Sequence, residues 1–182
     1  MKKKAFNFKL MSTSNKVVEL NKIKSKYVIL YFYPKDDTNG CTIETKDFNK
    51  LLNKFKKYDC TILGVSKDSL ESHKKWSKKL KLKFDLLTDE NKTSLKGYKV
   101  WAKKKFMGKE FLGTVRSTFI IEKNIIIKEW RSVKAVGHAK EVLKFISDKP
   151  VSFEVIAYDL SEMSNQTKVI SSWGEKVYVK MF

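Results

Sequence analysis

Residues 27–33, YVILYFY, form an unbroken β-prone apolar run that Pro34 ends. A strand so apolar on both of its faces must be covered on both, which places it in the middle of a sheet between two layers. The next six residues, KDDTNG at 35–40, are turn chemistry. Beyond them Ile43, Phe48, Leu51, Leu52 and Phe55 recur at helical spacing among lysines and asparagines. Strand, tight turn and amphipathic helix therefore follow in that order, with Cys41 at the helix start.

The alternation continues with a strand over 60–65, a helix over 69–81 carrying Trp76 and Leu80, a short strand near 85–87 and a helix over 91–98. Strand-like runs at 114–121 and 125–130 are separated only by Glu122, Lys123 and Asn124, the pattern of an antiparallel hairpin, and a helix over 138–146 follows. Helices alternating with strands, then a hairpin, predict an α/β layered domain with a mixed central sheet flanked by helices. Pro150 marks a boundary. We expect one catalytic domain over 1–148 and a C-terminal extension over 149–182, whose segments VSFEVIAYDL and KVYVKMF alternate like two further strands of a β-hairpin. That tail is neutral, with Lys149, Lys168, Lys176 and Lys180 against Glu154, Asp159, Glu162 and Glu175. A lone hairpin is marginal in water, so the tail is expected to dock on the body or on another subunit.

The formal net charge is +19. Only Arg116 and Arg131 are arginine, and the lysines are scattered along helix faces without aromatic interleaving, so the charge reads as a solvated surface and predicts no specific nucleic-acid partner. In so lysine-biased a chain, two retained guanidinium groups mark positions that need a planar, permanently charged fork. Lys2, Lys3 and Lys4 are followed by Asn7 and Lys9 instead of an apolar stretch, so we expect no export signal. No run approaches the ~18 apolar residues of a membrane span. Two cysteines, Cys41 and Cys60, make no disulfide scaffold, and a reducing cytoplasm is the expected setting.

A cysteine in the first turn of a helix faces free backbone N–H groups and the positive end of the helix dipole, which favour thiolate over thiol. The competing reading is a buried structural cysteine. Thr38, three residues earlier, can either cap the helix or direct its hydroxyl to an oxygen bound beside the sulfur. A calcium loop fails, because aligning Gly40 with the glycine such a loop requires puts Lys35 and Lys46 at the first and last carboxylate positions. There is no C-x-x-C, and His73 and His138 are far apart in sequence, which leaves metal and dithiol chemistry without support. No cofactor is expected.

Pro34, Thr38 and Cys41 reproduce P-x-x-x-T-x-x-C, and the surrounding YFYPKDDTNGCTIE resembles the peroxiredoxins of the bacterioferritin-comigratory, or Q-type, subgroup. LGVSKDSLESHKKW, the run from Tyr98 through VWAKKKFMGKEFLG, VRSTFIIE and WRSVKAVGHAKEVL are similar to the same subgroup in the same order, over roughly residues 5–147. The resemblance implies a thioredoxin-like fold and an antioxidant thiol peroxidase for hydrogen peroxide and organic hydroperoxides. It implies Cys41 as the peroxidatic nucleophile, Thr38 as the hydroxyl that binds peroxide, Pro34 as the residue shielding the site and Arg116 as the active-site arginine. Arg131 also matches a family position, where we expect a structural salt bridge.

Many members of the subgroup place a resolving cysteine five residues after the first, and here that residue is Lys46. Cys60, at the start of a central strand, reads more readily as packed than as resolving, so a one-cysteine cycle completed by thioredoxin, glutaredoxin or glutathione is expected. Asn39 stands where relatives usually have proline, which loosens the turn. Monomer and homodimer both stay open. The alternative is a non-catalytic thioredoxin-fold binding or chaperone-like protein with a basic surface, whereas disulfide exchange lacks a vicinal partner cysteine.

Overall fold

A computed structural model describes residues 3–106, 108–149, 168–170 and 176–178. The chain divides into two compact units, Met1–Asp148 and Lys149–Phe182. In the first unit the strands are β1 (Lys3–Lys4), β2 (Lys9–Ser12), β3 (Val17–Glu19), β4 (Tyr27–Phe32), β5 (Cys60–Ser66), β6 (Leu86–Thr88), β7 (Trp101–Phe106), β8 (Lys109–Thr114), β9 (Ser117–Glu122) and β10 (Ile125–Arg131). The helices are α1 (Asn39–Lys56), α2 (Leu70–Leu80), α3 (Thr93–Gly97) and α4 (His138–Ser147). Eight strands form one mixed sheet in the order β1-β10-β9-β4-β5-β6-β2-β3.

The apolar run at 27–33 lies in the middle of that sheet, as its composition demands. β4 pairs parallel with β5, Tyr27 to Cys60 and Phe32 to Val65, and antiparallel with β9, Tyr27 to Glu122 and Phe32 to Ser117. All six of its residues are buried. Successive side chains of a strand point to opposite faces. Tyr27, Ile29 and Tyr31 therefore enter a core with Phe48, Leu52 and Phe55 of α1, Trp76 of α2 and Val142 and Ile146 of α4. Val28, Leu30 and Phe32 enter a second core with Phe8, Leu20, Leu95, Tyr98 and Val100. Where β4 meets β5 the fit admits no side chain, because a Cβ on Gly64 would lie 2.6 Å from the Tyr31 ring.

The predicted 125–130 hairpin forms, with Lys123 and Asn124 both at positive φ, 48° and 62°, the twist a two-residue turn between antiparallel strands needs. Its first strand begins at Ser117 instead of Thr114, since Thr114 closes a separate hairpin, β7 with β8, from Trp101↔Thr114 to Phe106↔Lys109. The lysines of this hairpin hide its strand period. The N-terminal strands β1, β2 and β3 also lack a sequence signal, being only two to four residues long. In the second unit Lys168–Ile170 (β11) pairs antiparallel with Lys176–Tyr178 (β12); the expected strand VSFEVIAYDL lies outside the described residues. Among the described residues no helix is long and apolar enough to cross a membrane.

Candidate active site

The site forms at the carboxyl end of β4, where the chain leaves the sheet and re-enters it as a helix. Tyr33 is buried, Pro34 is half-buried, and Asp37 takes a left-handed φ of 55° that swings the chain into α1. Thr38 holds the N-cap position in an extended conformation. Its hydroxyl does not cap; it donates to the Lys35 carbonyl at 3.2 Å, while the Thr38 carbonyl accepts the Thr42 N–H at 2.8 Å. The first-turn N–H groups thus have no side-chain cap, and they sum to a positive end beside the third residue of the helix, Cys41. Asn39 is the first residue of α1, a position where proline would be readily accommodated.

Arg116 lies in the two-residue connection between β8 and β9 and reaches back to α1. Its Nη2 donates to the Cys41 sulfur at 3.2 Å, and its Nη1 donates to Oε2 of Glu44 in a very short ion pair. Gly40 makes room for this approach, since a Cβ there would meet Arg116 Nη2 at 3.2 Å. Two sources of positive potential, the helix end and the guanidinium, therefore converge on one sulfur that is itself fully buried.

Glu44 is the residue that sequence reasoning missed. It lies three positions after Cys41, on the same helix face, and is fully buried. Burial raises its carboxyl to about 7 against the pull of Arg116, and Oε1 finds no partner among the described residues. Burial also works against the charge on Arg116, but Glu44 and Cys41 outweigh it and hold the guanidinium up. The available signal was a carboxylate one helical turn from the candidate nucleophile in a chain with two arginines.

The other candidate positions are elsewhere. Lys46, in place of a resolving cysteine, is exposed on α1. Cys60 opens β5 opposite Tyr27, the residue that opens β4, whereas Cys41 follows the far end of β4. Five strand intervals separate those ends, roughly 16 Å. Burial, with the Asp59 carboxylate beside it, pushes the Cys60 thiol up to about 12, which favours its protonated form near neutrality. Arg131 is structural: it donates to the carbonyls of Tyr98 and Lys99 at 3.1 Å, pairs with Glu129 at 3.4 Å and lies over the Phe119 ring.

Residues 1–130 match the AhpC/TSA family. The chain is 44% identical over 146 residues to peroxiredoxin Bcp of Bacillus subtilis, covering 80% of this chain and 93% of that one. It is 42% identical over 139 residues to a putative peroxiredoxin bcp of Helicobacter pylori, covering 76% and 91%. Among solved structures it is similar to the bacterioferritin comigratory protein of Xanthomonas campestris, studied for alkyl peroxide reduction, with a TM-score of 0.73, 37% identity and coverage of 77% of this chain and 90% of that one. Family model, relatives and fold agree with one another: the chain belongs to the AhpC/TSA family and, within it, to the Q-type, bacterioferritin-comigratory peroxiredoxins.

Proposed function

We propose that this chain reduces hydrogen peroxide and organic hydroperoxides through Cys41, in a one-cysteine cycle that an external thiol completes. The observation that carries the reading is the 3.2 Å approach of Arg116 Nη2 to the Cys41 sulfur at the N-terminus of α1. The thiolate attacks the nearer peroxide oxygen, the O–O bond breaks, and the departing oxygen takes a proton and leaves as water or an alcohol. Cys41 becomes a sulfenic acid. Negative charge grows on the leaving oxygen, so donors fixed in advance around it lower the barrier, the first-turn N–H groups and the Arg116 fork, while the Thr38 hydroxyl, its hydrogen given to the Lys35 carbonyl, offers its oxygen to the peroxide O–H. Half-buried Pro34 limits water access from the β4 side.

The second half of the cycle uses a reductant in solution, thioredoxin, glutaredoxin or glutathione. One thiol condenses with the sulfenic acid to a mixed disulfide with loss of water, and a second thiol releases Cys41. The place of Cys60 at the opposite end of the sheet and its raised pKa support this division. Two free thiols suit a reducing cytoplasm. Every residue invoked belongs to 1–148, so the activity resides there and 149–182 is an appendage to it.

The test is hydrogen peroxide consumption with dithiothreitol by the native chain, Cys41→Ser and Cys60→Ser. Turnover lost in the first and kept in the second supports the reading. A native chain that consumes no peroxide, while binding polyanions in a salt-sensitive way that survives Cys41→Ser, would establish the basic-surface binding alternative instead.

A further inference from the structure

Between Pro34 and Thr38 stands a buried acid to which the reaction above gives no task. Asp36 is 7% exposed, although Lys35, Asp37 and Thr38 around it are all exposed. A carboxylate leaves water only where donors meet its oxygens. Oδ1 of Asp36 accepts from the Tyr33 hydroxyl at 2.8 Å, and Oδ2 accepts from the Ser72 hydroxyl at 2.7 Å. His73 Nδ1 stands 3.0 Å from Oδ1 and 2.8 Å from Oδ2. The carboxylate offers only acceptors and the Tyr33 hydrogen is committed to it, so Nδ1 carries a hydrogen and donates. The backbone is held as well: the Asp36 N–H donates to Asp68 Oδ2 at 2.7 Å, and that oxygen also accepts from the Ser66 hydroxyl at 2.8 Å.

Asp36, Asp68 and His73 bring three ligand-type atoms within 4.8 Å of one another, which invites a cation. The hydrogen bonds argue otherwise. Each of these atoms already faces a donor or an acceptor of the opposite kind, so the group is a satisfied hydrogen-bonded clamp that a cation would have to dismantle.

The clamp fixes the turn that carries Thr38. The Thr38 side chain, among the described residues, bonds only within the turn, to the Lys35 carbonyl, while its own carbonyl accepts the Thr42 N–H of α1. Among the described residues, the other side-chain tie from 34–38 to a distant element is Asp37 with Lys79 of α2, an exposed pair that salt screens. Cys41, by contrast, takes its positive surroundings from the N-terminus of α1 and from Arg116, and among the described residues no side-chain hydrogen bond joins either Cys41 or Arg116 to Asp36 or His73. The position of the hydroxyl and the reactivity of the sulfur are thus held by separate contacts.

We infer that Asp36 and His73 are positioning residues for the peroxide step: their buried pair pins the 34–38 turn to α2 and the end of β5, and so fixes where the Thr38 hydroxyl stands relative to Cys41, three residues on. This rests on the reading that Cys41 attacks a peroxide beside Thr38. A displacement of about 1 Å in such a group costs about 100-fold in rate.

The test compares two second-order rate constants of reduced Cys41, oxidation by hydrogen peroxide, which uses Thr38, and alkylation by iodoacetamide, which does not. His73→Leu slows oxidation about 10- to 100-fold and leaves alkylation within about twofold. His73→Asn, whose amide N–H replaces Nδ1–H, restores most of the loss. Thr38→Val combined with His73→Leu is no slower than Thr38→Val alone, because both act through one hydroxyl. Equal slowing of both reactions, multiplying effects in the double variant, or unchanged oxidation in folded His73→Leu overturns the inference. Should His73→Leu fail to fold, Ser72→Ala removes one bond to Asp36 from a half-buried site: a severalfold loss confined to oxidation supports the inference, and no loss overturns it. A native chain inert to peroxide sinks the peroxidase reading itself, whereas a reactive native chain with unaffected variants sinks only the positioning role.

Discussion

Arg116 places Nη2 3.2 Å from the sulfur of Cys41, 75 residues earlier in the chain, and its Nη1 on the buried carboxylate of Glu44. One planar fork serves two partners on the same helix face. A lysine ammonium in its place reaches one of them as a point charge.

Arg116→Lys is therefore expected to lower the rate constant for Cys41 oxidation by about 10²-fold or more, the usual cost of losing a preorganised donor. Stopped-flow mixing with peroxide checks this. Retention within about fivefold would show that charge alone suffices.

Gly40→Ala separates stability from activity. Gly40 has no positive φ and lies within α1, so alanine gains about 0.5–1 kcal/mol of helix propensity. Its Cβ, however, meets Arg116 Nη2 at 3.2 Å and moves the guanidinium by a few tenths of an ångström. A higher urea midpoint with a severalfold slower reaction is expected; a variant as active as the native chain would mean that the fork tolerates the shift.

Glu44 makes stability depend on pH. Its folded value, about 7, exceeds the ordinary 4.5 because of burial, so between those values the folded chain holds more protons than the unfolded chain. Stability then falls as pH rises through about 4.5 to 7. Glu44→Gln keeps an oxygen for Arg116 but cannot ionise. Relative to the native chain, its urea midpoint should gain between about pH 5 and about pH 8. Parallel pH profiles for the two proteins would remove Glu44 as the cause.

Cys60 should stay out of the cycle. After one equivalent of peroxide, non-reducing mass spectrometry is expected to show one added oxygen on Cys41 and no Cys41–Cys60 link. An intramolecular disulfide in the monomer would require α1 to unfold locally so that Cys41 leaves the far end of β4, roughly 16 Å along the strand, and would refute the one-cysteine cycle.

The sequence alone determined the elements whose signals are local. Residues 27–33 specify a central strand, the 35–40 turn and the spacing from Ile43 to Phe55 specify α1, and together they set Cys41 in its first turn; the 123–124 turn specifies the β9–β10 hairpin. Periodicity and turn chemistry act over a few residues and are legible there. The tertiary structure decided which distant groups meet. Lysines masked the β7–β8 pairing, and nothing near Glu44 announced Arg116, nor anything near Asp36 announced His73, 37 residues away. Those partners are selected by burial: a charged group removed from water must find a counterpart, and only the folded sheet determines which one lies within reach.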